Sequence, residues 1–316
     1  MMRAGKRIVF WVAVMVWVGM GWSAIAVGQD QTATILYGVD FVNAITGYAV
    51  GDGGVIVKTT DGGKTWTAQI SGTTRNLRAV RFVTVAVGWA VGEKGMILNT
   101  SDGGKTWTAQ SSATDRQLDI VCFVNPNTGW ALGDDGAVRK TLDGGKTWLA
   151  QAAGRCDYHA GYFLNTNTGW AAGNDLEIQR TDDGGATWTR QSKATKKDRL
   201  WGIYFADLNN GWAVGWNGVI LSTKDGGATW NPQISGTERP LYCIRFVNAK
   251  TGWAVGQAGT ILKTNDGGDT WAAQASGTEN TLQSVDFVDA NTGWAVGKIG
   301  TIVKTTNGGK AWKVMR

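Results

Sequence analysis

The chain has 316 residues, a formal net charge of +6 and an apolar fraction of 43%, enough for one large core or two ordinary domains. Its 46 Gly and 18 Trp against only 3 Pro argue against a helical or α/β protein and favour short strands joined by tight turns. Arg3, Lys6 and Arg7 supply half of the net charge, so the remainder is mildly basic, well short of the footprint of a dedicated nucleic-acid binder.

Residues 1–28 come first and read as an export signal. A positive start is followed by Ile8 to Trp22, apolar or Gly throughout, and then by Ala24-Ile25-Ala26 and Ala26-Val27-Gly28 as small-x-small cleavage sites. That is the layout of a cleaved secretory signal. An uncleaved anchor is the alternative, because no charge falls between Ile8 and Gly28, about the ~20 residues needed to cross a bilayer. The expected location is therefore the periplasm, a lumen or the extracellular space.

Residues 29–316 are expected to form a single domain of repeats. A Trp follows a Gly-Gly turn at 66, 107, 148, 188, 230, 271 and 312, and an aromatic residue precedes each by 18: Tyr48, Trp89, Trp130, Trp170, Trp212, Trp253 and Trp294. Each copy of about 41 residues reads as four strands. In the second, LRAVRFV, GWAVG, MILNT and the start of TWTAQ are the four, with tight Gly turns between them. A four-stranded unit cannot bury both faces alone, so neighbours must cover it. The fold predicted is all-β, a seven-bladed β-propeller with blades at about 36–76, 77–117, 118–157, 158–199, 200–240, 241–281 and 282–316. An open solenoid is the alternative, but no atypical polar cap flanks the array. The last repeat looks able to supply its own outer strand, which would leave closure to side-chain packing between blades one and seven.

The turn between strands three and four, TxDGGxTW, matches the Asp-box S/T-x-D-x-G-x-T-W. Asp61, Asp102, Asp143, Asp183, Asp225 and Asp266 occupy its acidic position. Such a carboxylate accepts the backbone N–H groups of its own turn, and one per turn is too few for a calcium cage. These residues are read as structural, with no metal and no cofactor expected. Cys122, Cys156 and Cys243 do not recur between repeats, so no disulfide framework is implied, although a Cys122–Cys156 bridge across one repeat boundary is open.

Function must then lie in what repeats least. The second residue of each first strand varies, with only Tyr recurring: Tyr37, Arg78, Asp119, His159, Trp201, Tyr242 and Gln283. These seven are expected to ring the channel mouth, on the face opposite the Asp-boxes. Tolerance of a solvated position explains their variety equally well. The strongest local cluster is KATKKDRLW at 193–201, with Lys193, Lys196, Lys197 and Arg199 beside Trp201, and with Trp216 in a neighbouring turn. Arg75, Arg78, Arg239, Tyr242 and Arg245 extend the candidate surface. Aromatic anchors among cations are the composition of a protein interface; a solvated charge run is the plain alternative.

The combination FVNxxTGWAVGxxGTILKTxDGGxTW, fullest in FVNAKTGWAVGQAGTILKTNDGGDTW at 246–271, resembles the photosystem II stability and assembly factor family. The resemblance covers about 36–316. It implies a seven-bladed propeller without enzymatic activity that holds a protein partner. In phototrophs that partner is a membrane-complex subunit, an early photosystem II reaction-centre precursor. No nucleic-acid partner is implied, membrane contact is expected only through an uncleaved N-terminal segment, and the protein is expected to act as a monomer. An Asp-box propeller that binds or cleaves glycans is the alternative. It would need paired carboxylates, for which Asp119 and a neighbouring acid are the candidates. His159 is the only His, so a multi-His metal centre is excluded.

Overall fold

The computed structural model describes residues 13–17, 22–26, 34–154, 156–192 and 198–315. From Leu36 to Val314 it contains seven four-stranded antiparallel sheets, each paired in sequence order. The result is an all-β, seven-bladed propeller with Asp-box turns between the third and fourth strands. Blade two is representative, with strands Leu77–Phe82, Gly88–Gly92, Ile97–Thr100 and Thr108–Gln110. Among the described residues, Ala13–Trp17 and Trp22–Ala26 pair with each other. The rest of the expected export segment, and Lys193, Lys196 and Lys197, lie outside the described residues.

The repeated letters are repeated contacts. Both glycines of GWAVG are set by close approach rather than by φ. A Cβ on Gly88 would lie 2.5 Å from the Phe82 ring, and one on Gly92 would lie 2.0 Å from the Asn76 carbonyl oxygen. The ring resting on that first Gly also faces the preceding blade. Phe123 stacks on Trp89 at 3.4 Å, and Phe163 stacks on Trp130 at 3.7 Å. Each such Phe meets its own Asp-box Trp edge-on, as Phe123 does Trp148 at 5.9 Å. Aromatic pairs of this kind contribute about 0.5–1.5 kcal/mol beyond the area they bury. The indole N–H then ties the blades: Trp130 donates to Gly184 O at 2.9 Å and Trp212 to Gly267 O at 2.8 Å. In blade one the Tyr48 hydroxyl makes the same tie to Gly103 O at 3.0 Å.

The ring closes by the same rules. Trp294 of blade seven stacks on Phe41 of blade one at 3.5 Å and donates to Gly62 O at 3.0 Å. Blade seven draws its outer strand, Lys313–Val314, from its own repeat, so side chains and single hydrogen bonds hold the junction rather than a shared sheet. The Cys122–Cys156 bridge that the spacing allowed is not formed: all three cysteines are free thiols.

Candidate partner interface at the channel mouth

Two faces follow from the hydrogen bonds. The turn between strands two and three touches the residue before the first strand, as Glu93 N does Asn76 O, whereas the Asp-box turn touches the loop between strands one and two, as Gly103 N does Ala86 O. The two sets of turns therefore lie at opposite ends of the blades.

Every first strand carries a register shift between its first and third residues. A bulge re-aims the residue it contains, and here that residue is the variable second one. Six of the seven form an unbroken chain of contacts around the mouth. The Arg78 guanidinium sits over Tyr37 at 4.2 Å and lies 4.0 Å from Asp119. Asp119 is 3.9 Å from His159 Nδ1, His159 stacks on Trp201 at 4.5 Å, and Trp201 meets Tyr242 edge-on at 6.1 Å. Burial raises the Tyr242 and Tyr37 phenols above their usual range.

The candidate residues separate into groups. Arg78 is turned inward, onto Glu93 at 3.5 Å as well as Asp119. Arg75 and Arg239 are exposed equivalents in the connections that lead into blades two and six, each reaching a carbonyl of the next turn, Lys94 O at 3.4 Å and Ala258 O at 3.5 Å. Arg199 is exposed and lies over Trp201 at 6.0 Å. Trp216 is 43% exposed, and its backbone N–H donates to Arg199 O, which joins the two segments.

Arg245 stands apart from them. It is the fifth residue of its strand, deeper in the channel, paired with Asp286 at 3.1 Å and placed over the Tyr204 ring at 5.1 Å. With Asp40, Arg81, Cys122, Tyr162, Tyr204 and Asp286, it occupies the fifth position of the seven first strands. Asp40 pairs with Arg81 at 3.0 Å and accepts Phe82 N at 2.8 Å; Asp286 accepts Phe41 N at 2.7 Å. Burial pushes the Cys122 thiol up to about 11, which keeps it an unreactive thiol. Reading the fifth column as the second was read would have exposed this layer.

A second unforeseen feature is an acidic sector on blades three and four. Asp134 and Asp135 form one turn and Asp175 lies in the next, while Asp119 and Asp157 lie beside them. Burial, then the charges of Asp119 and Asp157, raise the Asp134 carboxyl above its usual range. On the opposite face the Asp-box carboxylates satisfy their own turns: Thr106 N and Oγ1 donate to Asp102 at 2.9 and 2.7 Å, and Thr100 Oγ1 donates at 2.9 Å. The Thr donors hold Asp102, Asp143, Asp183, Asp225 and Asp266 down to about 2, and Asp61 lower still.

The family model of the photosynthesis system II assembly factor YCF48 matches residues 17–112, 69–149, 111–197 and 233–316. No curated protein matches the chain. Among solved structures, YCF48 bound to D1 peptide is 21% identical with a TM-score of 0.74, over 94% of this chain and 97% of that one. YCF48 from Cyanidioschyzon merolae is also 21% identical, with a TM-score of 0.72 over 87% of this chain and 96% of that one. A GH74 xyloglucanase from Xanthomonas campestris is 12% identical with a TM-score of 0.74, over 90% of this chain but 55% of that one. At these identities the structural likeness speaks for the fold.

Proposed function

The chain belongs to the photosystem II assembly factor family, and on that premise we propose that it is an exported, non-enzymatic scaffold that holds a protein partner on its channel-mouth face. The observation that carries the reading is the division of labour there. Tyr37, Arg78, Asp119, His159, Trp201 and Tyr242 are engaged with one another, so they give a pre-ordered floor that loses little entropy on binding. Trp216 and Arg199 stand beside that floor with Arg239 and Arg75 exposed on the same face. An exposed indole and exposed guanidinium groups on one face supply apolar area, a ring face and bidentate donors, the combination that dominates interface energies. A relative has been solved with a D1 peptide. In a phototrophic source the partner would be a photosystem II reaction-centre precursor, met by a monomer in the lumen or periplasm.

The test is capture from cells of the source organism with the wild type and with the surface variant Arg199→Glu/Trp216→Ala/Arg239→Glu. The variant is expected to melt at the wild-type temperature and to lose the captured protein. Unchanged capture overturns the reading.

The aromatic arc Trp201–Tyr242 beside Asp119 favours one second reading, a glycan-binding or glycan-cleaving propeller. A glycan array with a hydrolysis assay separates the two. Cleavage abolished by Asp119→Asn would replace the scaffold with an enzyme.

A further inference from the structure

From the geometry of one cluster at the mouth, we infer that Asp119, Asp134 and His159 form a binding site for a divalent first-row transition ion of the Zn2+ or Mn2+ type. One ligand atom from each of the three side chains lies within 4.8 Å of the other two. They come from three separate elements: the bulge of blade three, the following turn of the same blade, and the bulge of blade four. Sequence distance hid the cluster, since 15 residues separate Asp119 from Asp134 and 25 separate Asp134 from His159.

The imidazole is oriented from outside the three-residue cluster. Asn174 Nδ2 donates to Asp157 Oδ2 at 2.8 Å. A carboxylate only accepts, so this bond fixes the amide and leaves Asn174 Oδ1 as an acceptor. His159 Nε2, 3.0 Å from that oxygen, must then carry the proton. With Nε2 so committed, Nδ1 is the nitrogen left to bind an ion, and it faces Asp119 Oδ2, 3.9 Å away. The Asp157–Asn174–His159 relay has the form that positions a metal-binding imidazole from behind. Trp201, stacked at 4.5 Å, holds the same ring from its face. Gln117 Nε2 positions Asp119 through bonds of 2.9 and 3.2 Å.

Charge points the same way. The side chains of Asp119 and His159 are only 15% and 13% exposed. No side-chain hydrogen bond engages Asp134 among the described residues. Arg78 is the nearest cation on Asp119, at 4.0 Å, and it is shared with Glu93. A divalent ion displaces any proton on His159 Nδ1 and sets its charge between the two partly buried carboxylates. One imidazole and two carboxylates suit Zn2+ or Mn2+ rather than the all-oxygen ions Ca2+ and Mg2+. Ligand bonds of about 2.0–2.2 Å require the three groups to close inward slightly on the ion. Three protein ligands leave coordination positions open toward the mouth.

The inference stands apart from the partner reading, because it is tested without any partner. Zn2+ and Mn2+ binding is measured on the untagged protein by calorimetry and by Mn2+ electron paramagnetic resonance, with thermal melting to verify folding. The wild type is expected to take up one ion per chain and to melt higher in its presence. Asp134→Asn and His159→Gln should each weaken binding by about 10–100-fold. Asp175→Asn, which removes an exposed acid of the same sector outside the cluster, should leave affinity within about two-fold. Absence of stoichiometric binding to the folded wild type, or binding weakened as much by Asp175→Asn as by Asp134→Asn, overturns the site.

Discussion

Single residues show where a repeat constraint is obeyed and where it is broken. Gly133 obeys one: a Cβ there would lie 1.9 Å from Gln117 O, and backbone cannot yield as a flexible side chain does. Gly133→Ala is expected to cost at least about 2 kcal/mol in denaturant unfolding. Ile299 breaks another. It holds φ of 58 at a turn position taken elsewhere by Gly53, Lys94, Asp135, Asp175, Asn217 and Ala258, where it alone is β-branched, and it is 55% exposed. A β-branched residue is strained in that region, so Ile299→Asn should stabilise by about 1 kcal/mol. A lowered denaturation midpoint for Ile299→Asn would contradict this.

At the scale of the element, the Asp-box is a hydrogen-bonded turn whose strength depends on an ionised carboxylate. Folded values near 2 for Asp102, Asp143, Asp183, Asp225 and Asp266 lie below the ordinary carboxylate value. Their contribution is therefore fully present above about pH 4 and lost as the pH falls toward about 2. The melting temperature should drop across that window, and Asp143→Asn should make the drop shallower. An Asp143→Asn protein with the wild-type slope would count against the account. Blade seven keeps the turn with Asn307, which accepts from Thr305 Oγ1 and Ala311 N, but Ala311 lacks the hydroxyl that bonds the second oxygen elsewhere. Restoring both with Asn307→Asp/Ala311→Thr should raise the melting temperature by about 1–3 °C.

Elements of this kind were legible because their residues recur in phase, and a period of about 41 names its own contacts. The mouth was legible only as a column of differences. Which members of that column engage each other depends on the bulge, and the bulge has no letter of its own. Arg245 shows the consequence. By composition it extends a basic surface, whereas three residues farther along the strand than Tyr242 it is committed to Asp286 inside the channel. The acidic sector went unread because Asp119, Asp134, Asp157 and Asp175 belong to four separate segments.

For the whole molecule, closure and presentation are linked, since the mouth exists only while the ring is shut. The junction of blades one and seven rests on Trp294 against Phe41 and on Asp286, which accepts Phe41 N and pairs with Arg245. Asp286→Ala leaves a half-buried guanidinium and a buried N–H without their acceptor, at an expected cost of about 3 kcal/mol. Denaturant unfolding measures it, and a cost below about 1 kcal/mol would mean that stacking alone holds the ring. The junction of blades six and seven is tied less, because the Trp253 indole N–H has no partner among the described residues where its equivalents bond the next turn. A shut, rigid ring is what lets one face act as a platform. Site-specific photo-crosslinking in cells of the source organism tests that claim most directly, with the photoreactive residue placed at Trp216 on the mouth face or at Lys105 on the Asp-box face. A discrete protein adduct from position 216 and none from position 105 is the predicted result. Adducts from position 105 alone, or none from position 216 with the folded protein present, would contradict it.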